Sequence, residues 1–308
     1  MSQISLWVFA GMWLNVSMAN ERTTTTMNAN ENSFGVEIET IAPDSAIRQH
    51  GLRIGGYHRG IQVPYLPTGW KAERDGSIQT NGRGHACEIV SPVLRGAEGL
   101  AQVAEVLRIL EDKGHRVNGS CGVHVHIGRG RHTPRTLRNL VNLVNAKEDL
   151  LTQALGISPE RRARWCQAVD PDFLARLNRR KPTTDAAFAE LWYNTPEWRW
   201  HASQHYDTSR YHLLNLHSVF QKGTIEFRAF NASLHAGEIK SFIQLAMAIS
   251  YQALKSSAAS ARRPETDNPK YTFRCWLLRL GFIGDEFATA REHLTKRLPG
   301  NAAWRQAS

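Results

Sequence analysis

The chain has 308 residues, of which 42% are hydrophobic and 21% charged, as in an ordinary globular protein with a large core in one domain or two lobes. Its four cysteines are scattered and form no C-x-x-C pair, which excludes a zinc ribbon or a disulfide framework and indicates reduced thiols in a cytoplasmic protein. The net charge of +10 is unusual, and it favours an anionic partner such as a nucleotide, an acidic substrate or nucleic acid.

Residues 1–32 are predicted to lie outside the fold as a disordered extension. The apolar stretch from Leu6 to Met18 is too short to cross a membrane as a helix, and it lacks the positive residues that begin a signal peptide. A misplaced start codon, with Met18 or Met27 as the true start, would also explain this stretch. No other segment is a membrane candidate, so we expect no membrane partner.

The first half of the fold is predicted to combine short strands with one helix. The predicted strands are residues 34–40, the alternating stretch that contains Ala72 and Arg74, residues 85–90 and residues 121–127. An irregular crossing over residues 41–69 joins the first two strands, and the second strand runs into an Asp-Gly turn at Asp75. An amphipathic helix begins near Leu100 and ends at Gly114.

The second half is predicted to be mainly helical, with one hairpin. The pairs Thr133-Pro134 and Ser158-Pro159 are N-cap and N1 residues, and each predicts the start of a helix. Residues 185–209 indicate a tryptophan-rich helix and loop. Residues 211–220 and 223–230 predict a β-hairpin that reverses at Gln221-Lys222.

The end of the chain completes an α+β organisation. Residues 237–255 form a long predicted helix, and a polar linker and a C-terminal helical piece follow it. Strands dispersed among helices indicate an antiparallel sheet with helices on one face. We divide the chain into an extension (1–32), a main domain (33–257), and a linker with a C-terminal helical segment (258–308).

Three predicted strands carry, at alternate positions, side chains of the types that bind metal or phosphate. The pairs are, in chain order, Glu37 and Glu39, His124 and His126, and Glu226 and Arg228. Residues i and i+2 of a strand share a face, and the opposite face of each of these strands is apolar. Buried carboxylates are unfavourable unless they are paired or bind metal. The pattern therefore predicts one site lined with metal and phosphate ligands.

Each of these patterns also has a purely structural interpretation. The two histidines could be half-exposed or hydrogen-bonded core residues, Glu226 and Arg228 could form a simple ion pair, and Asp75 could only shape its turn. Glu88 is a further acid between apolar neighbours and a candidate ligand. Oxygen-rich ligand sets with one or two imidazoles favour Mg²⁺ or Mn²⁺ over a closed zinc cage.

A cluster of seven basic residues lies between Arg161 and Lys181, interrupted by Asp170 and Asp172. It could be a solvated helical face or a wall of an anionic-substrate site. No RNA- or DNA-binding motif accompanies it, so we do not expect a nucleic-acid partner.

Taken in order, the motifs resemble the amidoligase family, carboxylate–amine ligases related to glutamine synthetase and glutamate–cysteine ligase. The resemblance spans roughly residues 34–255. The motifs are Phe-Gly-Val-Glu-Ile-Glu at 34–39, Asp-Gly-Ser at 75–77, Glu-Ile-Val-Ser-Pro at 88–92, Cys-Gly-Val-His-Val-His-Ile at 121–127, Arg210-Tyr211, Asn215, and Gly-Thr-Ile-Glu-Phe-Arg at 223–228.

This resemblance implies a glutamine-synthetase-like catalytic domain, with a curved antiparallel sheet that binds ATP and Mg²⁺ or Mn²⁺ on its concave face. The implied metal ligands are Glu37, Glu39, Glu226 and either His124 or His126, with Glu88 as a further candidate. It further implies that Arg228, with Glu226, is catalytic and meets the transferred phosphate, while Arg210 and Asn215 belong to the nucleotide site. The absence of a Walker-type P-loop agrees with this superfamily.

The sequence thus predicts an ATP-dependent carboxylate–amine ligase that acts on small-molecule or peptide carboxylates and amines. Two alternatives remain open: a metal-dependent hydrolase that uses the His-x-His and glutamate residues, and a basic, non-catalytic nucleic-acid-binding protein. Nucleotide-dependent phosphate release separates the ligase from both. The identity of the substrates and the oligomeric state are not predicted.

Overall fold

The structure is a computed structural model that describes residues 33–304. Its centre is an open sheet in which every pairing between strands is antiparallel. The strands are β1 (Ser33–Ala42), β2 (Ile61–Gln62), β3 (Lys71–Glu73), β4 (His85–Val90), β5 (Leu94–Arg95), β6 (Gly122–Gly128), β7 (Leu214–Asn215) and β8 (Thr224–Asn231). They lie in the order β2-β3-β4-β1-β6-β8-β7, and β5 pairs with β1.

Eleven α-helices surround this sheet within the described residues. They are α1 (Asp44–Arg48), α2 (Gly96–Asp112), α3 (Pro134–Leu155), α4 (Pro159–Arg164), α5 (Pro171–Arg180), α6 (Asp185–Tyr193), α7 (Trp198–Ser203), α8 (His217–Gln221), α9 (Ala236–Lys255), α10 (Pro269–Arg279) and α11 (Ala288–Thr295). None of those between residues 33 and 304 is both long and apolar enough to cross a membrane.

The hydrophobic core lies between one face of the sheet and the three longest helices. Helix α9 contacts α2, α3 and β6, and α3 also contacts β8. The apolar residues of the central strands are almost fully buried: Val36, Ile38, Val123, Val125, Ile127, Ile225 and Phe227. The ring of Phe230 stacks on Phe242 of α9 with centroids 4.6 Å apart. The predicted antiparallel sheet combined with helices is confirmed.

Local hydrogen bonds explain where the helices begin. Thr133 and Thr136 form a reciprocal capping box at the start of α3, with Pro134 as the first helical residue. At the start of α4, the Ser158 hydroxyl accepts a hydrogen bond from the backbone N–H of Arg161. Both predicted helix starts are therefore confirmed. Helix α3 ends at Gly156, whose φ of 65° is left-handed and favours glycine.

The predicted hairpin is wrong in its first arm. Of residues 211–220, only Leu214 and Asn215 pair with β8, opposite Phe227 and Glu226. The next residues form the short helix α8, whose polar side chains hydrogen-bond to neighbouring elements. The hydroxyl of Ser218 is 2.7 Å from that of Thr224, and Nδ1 of His217 is 2.6 Å from the Tyr193 hydroxyl. The crossing at 41–69 is also more ordered than predicted, since it contains α1 and β2.

The segment after α9 lies along α3. Asn139, Asn142 and Asn145 each donate from Nδ2 to a backbone carbonyl of this segment, at Ser256, Ala259 and Ala261 respectively. Beyond it, α11 packs on α9 and α3. Residues 256–295 therefore share the core of the preceding domain. The extension predicted at residues 1–32 lies outside the described residues.

Candidate active site

The polar face of the sheet gathers the predicted ligands through its strand register. Three cross-strand pairs carry them: Glu39 with Glu88, Glu37 with His124, and His126 with Glu226. Directly opposed residues in an antiparallel sheet point to the same face, with their Cβ atoms about 5 Å apart. Four adjacent strands, β4, β1, β6 and β8, thus place four acids and two imidazoles side by side.

A β-bulge in β8 positions Arg228. Val125 pairs with Phe227, but Val123 pairs with Phe230, so β8 contains one extra residue at this point. The bulge lets Glu226 and Arg228 both face the polar side while Phe230 still reaches the core.

His124 lies at the centre of the acids. Its Nδ1 is 3.1 Å from Glu37 Oε2 and 3.9 Å from an oxygen of both Glu88 and Glu226. Its Nε2 is 3.6 Å from Glu39 Oε1. One imidazole therefore touches carboxylates from three other strands.

His126 contains a buried nitrogen that the protein leaves without a hydrogen-bond partner. Its Nδ1 is 3.1 Å from the Thr224 hydroxyl, which orients the ring. Its Nε2 lies 3.2 Å from Glu37 Oε1 and 4.0 Å from Glu226 Oε2, and neither contact is a hydrogen bond. A buried nitrogen of this kind, directed at two carboxylates, suits a bound cation.

Glu226 is held by two partners. Arg228 Nη1 donates to its Oε1 at 2.6 Å, and Asn215 Nδ2 donates to its Oε2 at 2.7 Å. Burial raises the pKa of Glu226, but the charges of Arg228 and His126 outweigh burial and lower it. Asn215 thus orients a carboxylate, and it is not among the residues that line the pocket.

The remaining acids experience opposite electrostatic environments. Burial, and then the charges of Glu37 and Glu39, raise the pKa of Glu88 well above its ordinary value. For Glu37, burial is outweighed by His126 and by Lys222, whose Nζ is 3.4 Å away, so its pKa is lowered. Backbone N–H of Gly122 donates to Glu39 Oε2 at 2.6 Å. Glu88 therefore lacks the nearby compensating charge that Glu37 has.

Among residues 33–304, three overlapping groups of side chains could hold a metal ion. They are Glu37, Glu88 and His124; Glu37, His126 and Glu226; and Glu39, Asp75 and Glu88. The potential ligand atoms of each group lie within 4.8 Å of one another. Oxygen-rich sets with at most one imidazole each suit Mg²⁺ or Mn²⁺, and the unpaired Nε2 of His126 agrees with a cation. The residues present therefore fit the expected metal.

Asp75 shapes a turn and also joins one of these groups. Its Oδ1 accepts a hydrogen bond from the Ser77 backbone at 2.6 Å. The two interpretations open at the sequence level are thus compatible in this structure.

A pocket of about 530 Å³ lies over this face. Arg210 lines it and packs near the rings of Tyr206 and Tyr211. Sequence reasoning missed Lys222, Glu73, Tyr57 and His58 as lining residues. Lys222 was placed at a hairpin reversal, and the other three lie on chain segments whose approach to the sheet no local pattern reveals. Arg161, from the basic cluster, also lines the pocket.

Comparison with known proteins agrees with this geometry. Residues 30–250 match the model of a family described as "Putative amidoligase enzyme". No curated protein matches the chain. The matched region contains every strand of the sheet and all the side chains of the polar face, and the chain belongs to this amidoligase family.

Proposed function

We propose that this protein is an ATP- and divalent-metal-dependent carboxylate–amine ligase that forms an amide or peptide-like bond through an acyl phosphate. Membership of the amidoligase family supports a ligase activity. One observation supports binding of both nucleotide and metal: the half-buried Glu37 and the buried Glu39, Glu88 and Glu226 share a sheet face with Arg228, and Lys222 lies 3.4 Å from Glu37. Acids alone would suit a metal, whereas acids beside cations suit a metal together with an anionic phosphate chain.

Glu37, Glu39, Glu88, His124, His126 and Glu226 are the residues that would hold metal, with Asp75 as a further oxygen ligand. A bound divalent cation would neutralise phosphate charge and polarise the transferred phosphoryl group. Glu37 and Glu88 each belong to two of the groups that could hold metal. Asn215 fixes the rotamer of Glu226 in this arrangement.

Arg228 is assigned to the transferred phosphoryl group. One nitrogen of its guanidinium is occupied by Glu226, while its Nε is buried without a hydrogen-bond partner. Arg228 also lines the pocket, which supports contact between its guanidinium and a phosphoryl oxygen. Arg210 and Lys222 lie in the same pocket and supply further positive charge for the nucleotide.

The reaction proceeds in two displacements. A substrate carboxylate oxygen attacks the γ-phosphorus of ATP, the bond to the bridging oxygen breaks, and ADP leaves. The amine nitrogen then attacks the acyl carbon, phosphate leaves, and the nitrogen loses a proton to give the amide. Preorganised charge lowers the first barrier, and holding the amine beside the acyl phosphate lowers the second.

A screen of amino acids and short peptides for stimulated ADP release with Mg²⁺ tests this function. We expect one carboxylate–amine pair to raise ADP release, with an equal amount of an amide product by mass spectrometry. A metal-dependent hydrolase would instead cleave an amide or ester without nucleotide. That result, or ADP release with no coupled product, would contradict the ligase.

A further inference from the structure

Arg161 is a buried guanidinium without a carboxylate partner among the described residues. It is 7% exposed, and it lies in α4, where its backbone N–H donates to the Ser158 hydroxyl. Its Nη2 lies 3.3 Å from the Phe230 carbonyl and 3.8 Å from Cys166 Sγ. Its Nε is buried and has no hydrogen-bond partner. Burial of an arginine charge without a counter-charge is unfavourable, so an anionic ligand would complete this site.

Two nearby arginines, Arg228 and Arg162, lie beside carboxylates, whereas the buried Arg161 does not within the part of the chain that the structure describes. Arg228 forms its ion pair with Glu226, and Arg162 lies 3.6 Å from the buried carboxylate of Glu148. Gly122 allows Arg161 to lie against β6, because a Cβ at that position would be 2.6 Å from Nη2. The guanidinium is thus held at the edge of the polar face with donors still unused.

Arg161 lies where two cavities meet. It lines the 530 Å³ pocket above the acids and also an outer groove of about 1200 Å³. The outer groove is lined mainly by amide, hydroxyl and aromatic side chains, with one further arginine and one acid, and its lining includes Tyr57, Asn118, Ser120, Trp165, Arg164 and Glu160. It exceeds the usual size of a small-ligand site, and its donors, acceptors and rings suit a peptide backbone.

We propose that the carboxylate-bearing substrate is a peptide or peptide-like chain, with a carboxylate bound by Arg161 and the chain extended along the outer groove. This inference rests on the proposed ligase function and identifies its substrate class. Arg161 would be a binding residue with forked hydrogen bonds to the carboxylate, as guanidinium geometry favours. It would contribute to substrate affinity and leave nucleotide affinity unchanged.

Saturation-transfer NMR with N-acetyl-tetraalanine tests the proposal. The free acid is compared with its C-terminal amide, in the presence of Mg²⁺ and a non-hydrolysable ATP analogue. We expect the wild-type protein to bind the acid about tenfold more tightly than the amide, the size of effect that one charged hydrogen-bonding pair produces. Equal binding of acid and amide, or binding of neither, would overturn the proposal.

Variants identify the residue responsible. Arg161→Gln and Arg161→Lys are expected to lose most of the preference for the acid, while Arg180→Gln, which removes an exposed charge from α5, keeps it. Retention of the preference in Arg161→Gln would assign the carboxylate to another residue and contradict the proposal. Calorimetry with the ATP analogue distinguishes failure of the Arg161 proposal from failure of the proposed ligase function. Weaker analogue binding in both Arg161 variants would mean that Arg161 binds phosphate, which would contradict its role in carboxylate binding. Failure of the wild-type protein to bind the analogue would contradict the proposed function itself.

Discussion

Glu88 is an acid of the polar face whose ionisation the metal-free fold disfavours. It is buried beside Glu37 and Glu39, and its pKa is raised by burial and by their charges. Without metal, the folded protein resists ionisation of Glu88, whereas the unfolded chain ionises it at its ordinary pKa. Stability contributed by this group is therefore present at low pH and decreases as the pH rises from the ordinary carboxyl range through the raised pKa.

Glu88→Gln is expected to stabilise the metal-free protein at pH 8 by about 1 kcal/mol, because it removes an ionisation that the fold disfavours. It should also reduce the rise in melting temperature that Mg²⁺ produces. Thermal melts in chelator and in Mg²⁺ between pH 5 and 8 measure both effects, with Glu105→Gln, an exposed glutamate of α2, as the control. Equal pH slopes and equal Mg²⁺ effects in wild type and variant would contradict this account of Glu88.

Arg228→Lys retains the positive charge beside Glu226 but loses the forked geometry of the guanidinium. We expect kcat to fall by a factor that corresponds to the loss of about 2–4 kcal/mol of transition-state stabilisation, while nucleotide affinity changes less. Arg162→Lys is a matched control, since Arg162 lies beside a buried glutamate, Glu148, and is not among the residues that line the pocket. A large drop in melting temperature with near-normal kcat would mean that Arg228 is only an ion-pair partner.

At the scale of elements, the sequence predicted which residues share a face but not which residues meet. Alternation alone places Glu37 with Glu39 and His124 with His126. The register that sets Glu37 opposite His124 joins positions 87 residues apart, and it depends on the packed sheet. The β8 bulge and the short helix α8 were not predicted, because both depend on contacts with other elements.

The capping box of α3 allows the scaffold to be tested separately from the site. Thr133→Ala removes a side-chain acceptor at the start of the helix and is expected to lower the free energy of unfolding by about 1 kcal/mol. Because α3 lies on the apolar side of the sheet, kcat should not change. Denaturant titration and a turnover assay on the same sample measure both quantities. A changed kcat with unchanged stability would show that α3 influences the site directly.

At the scale of the whole molecule, the elements after α9 pack into the same core as the sheet. The linker after α9 is bound to α3 by three asparagine side chains, and Arg263 Nη2 donates to the buried Glu148 at 2.7 Å. Helix α11 buries Leu294 within the same core. The sequence predicted this region as a separate segment, because a polar, proline-containing stretch carries no local signal of the helix on which it packs.

Truncation after residue 257 is expected to abolish cooperative unfolding. It would remove buried apolar packing and hydrogen bonds from a fold whose net stability is typically only roughly 5–15 kcal/mol. Deletion of residues 2–26, which precede the family match, is expected to change neither melting temperature nor activity. Circular dichroism melts of the two truncated proteins measure this difference. A C-terminal truncation that melts within a few degrees of the full chain would contradict the shared core.

The central claim is that the acid and histidine face binds nucleotide and divalent metal together. Clustered acids repel a triphosphate unless a cation bridges them, so affinity should depend on the metal. The most direct test is calorimetric titration of the full chain with ATP in Mg²⁺, in Mn²⁺ and in excess chelator. The account predicts binding with either metal and affinity at least about tenfold weaker in chelator. Equally tight binding in chelator, or no binding with either metal, would contradict it.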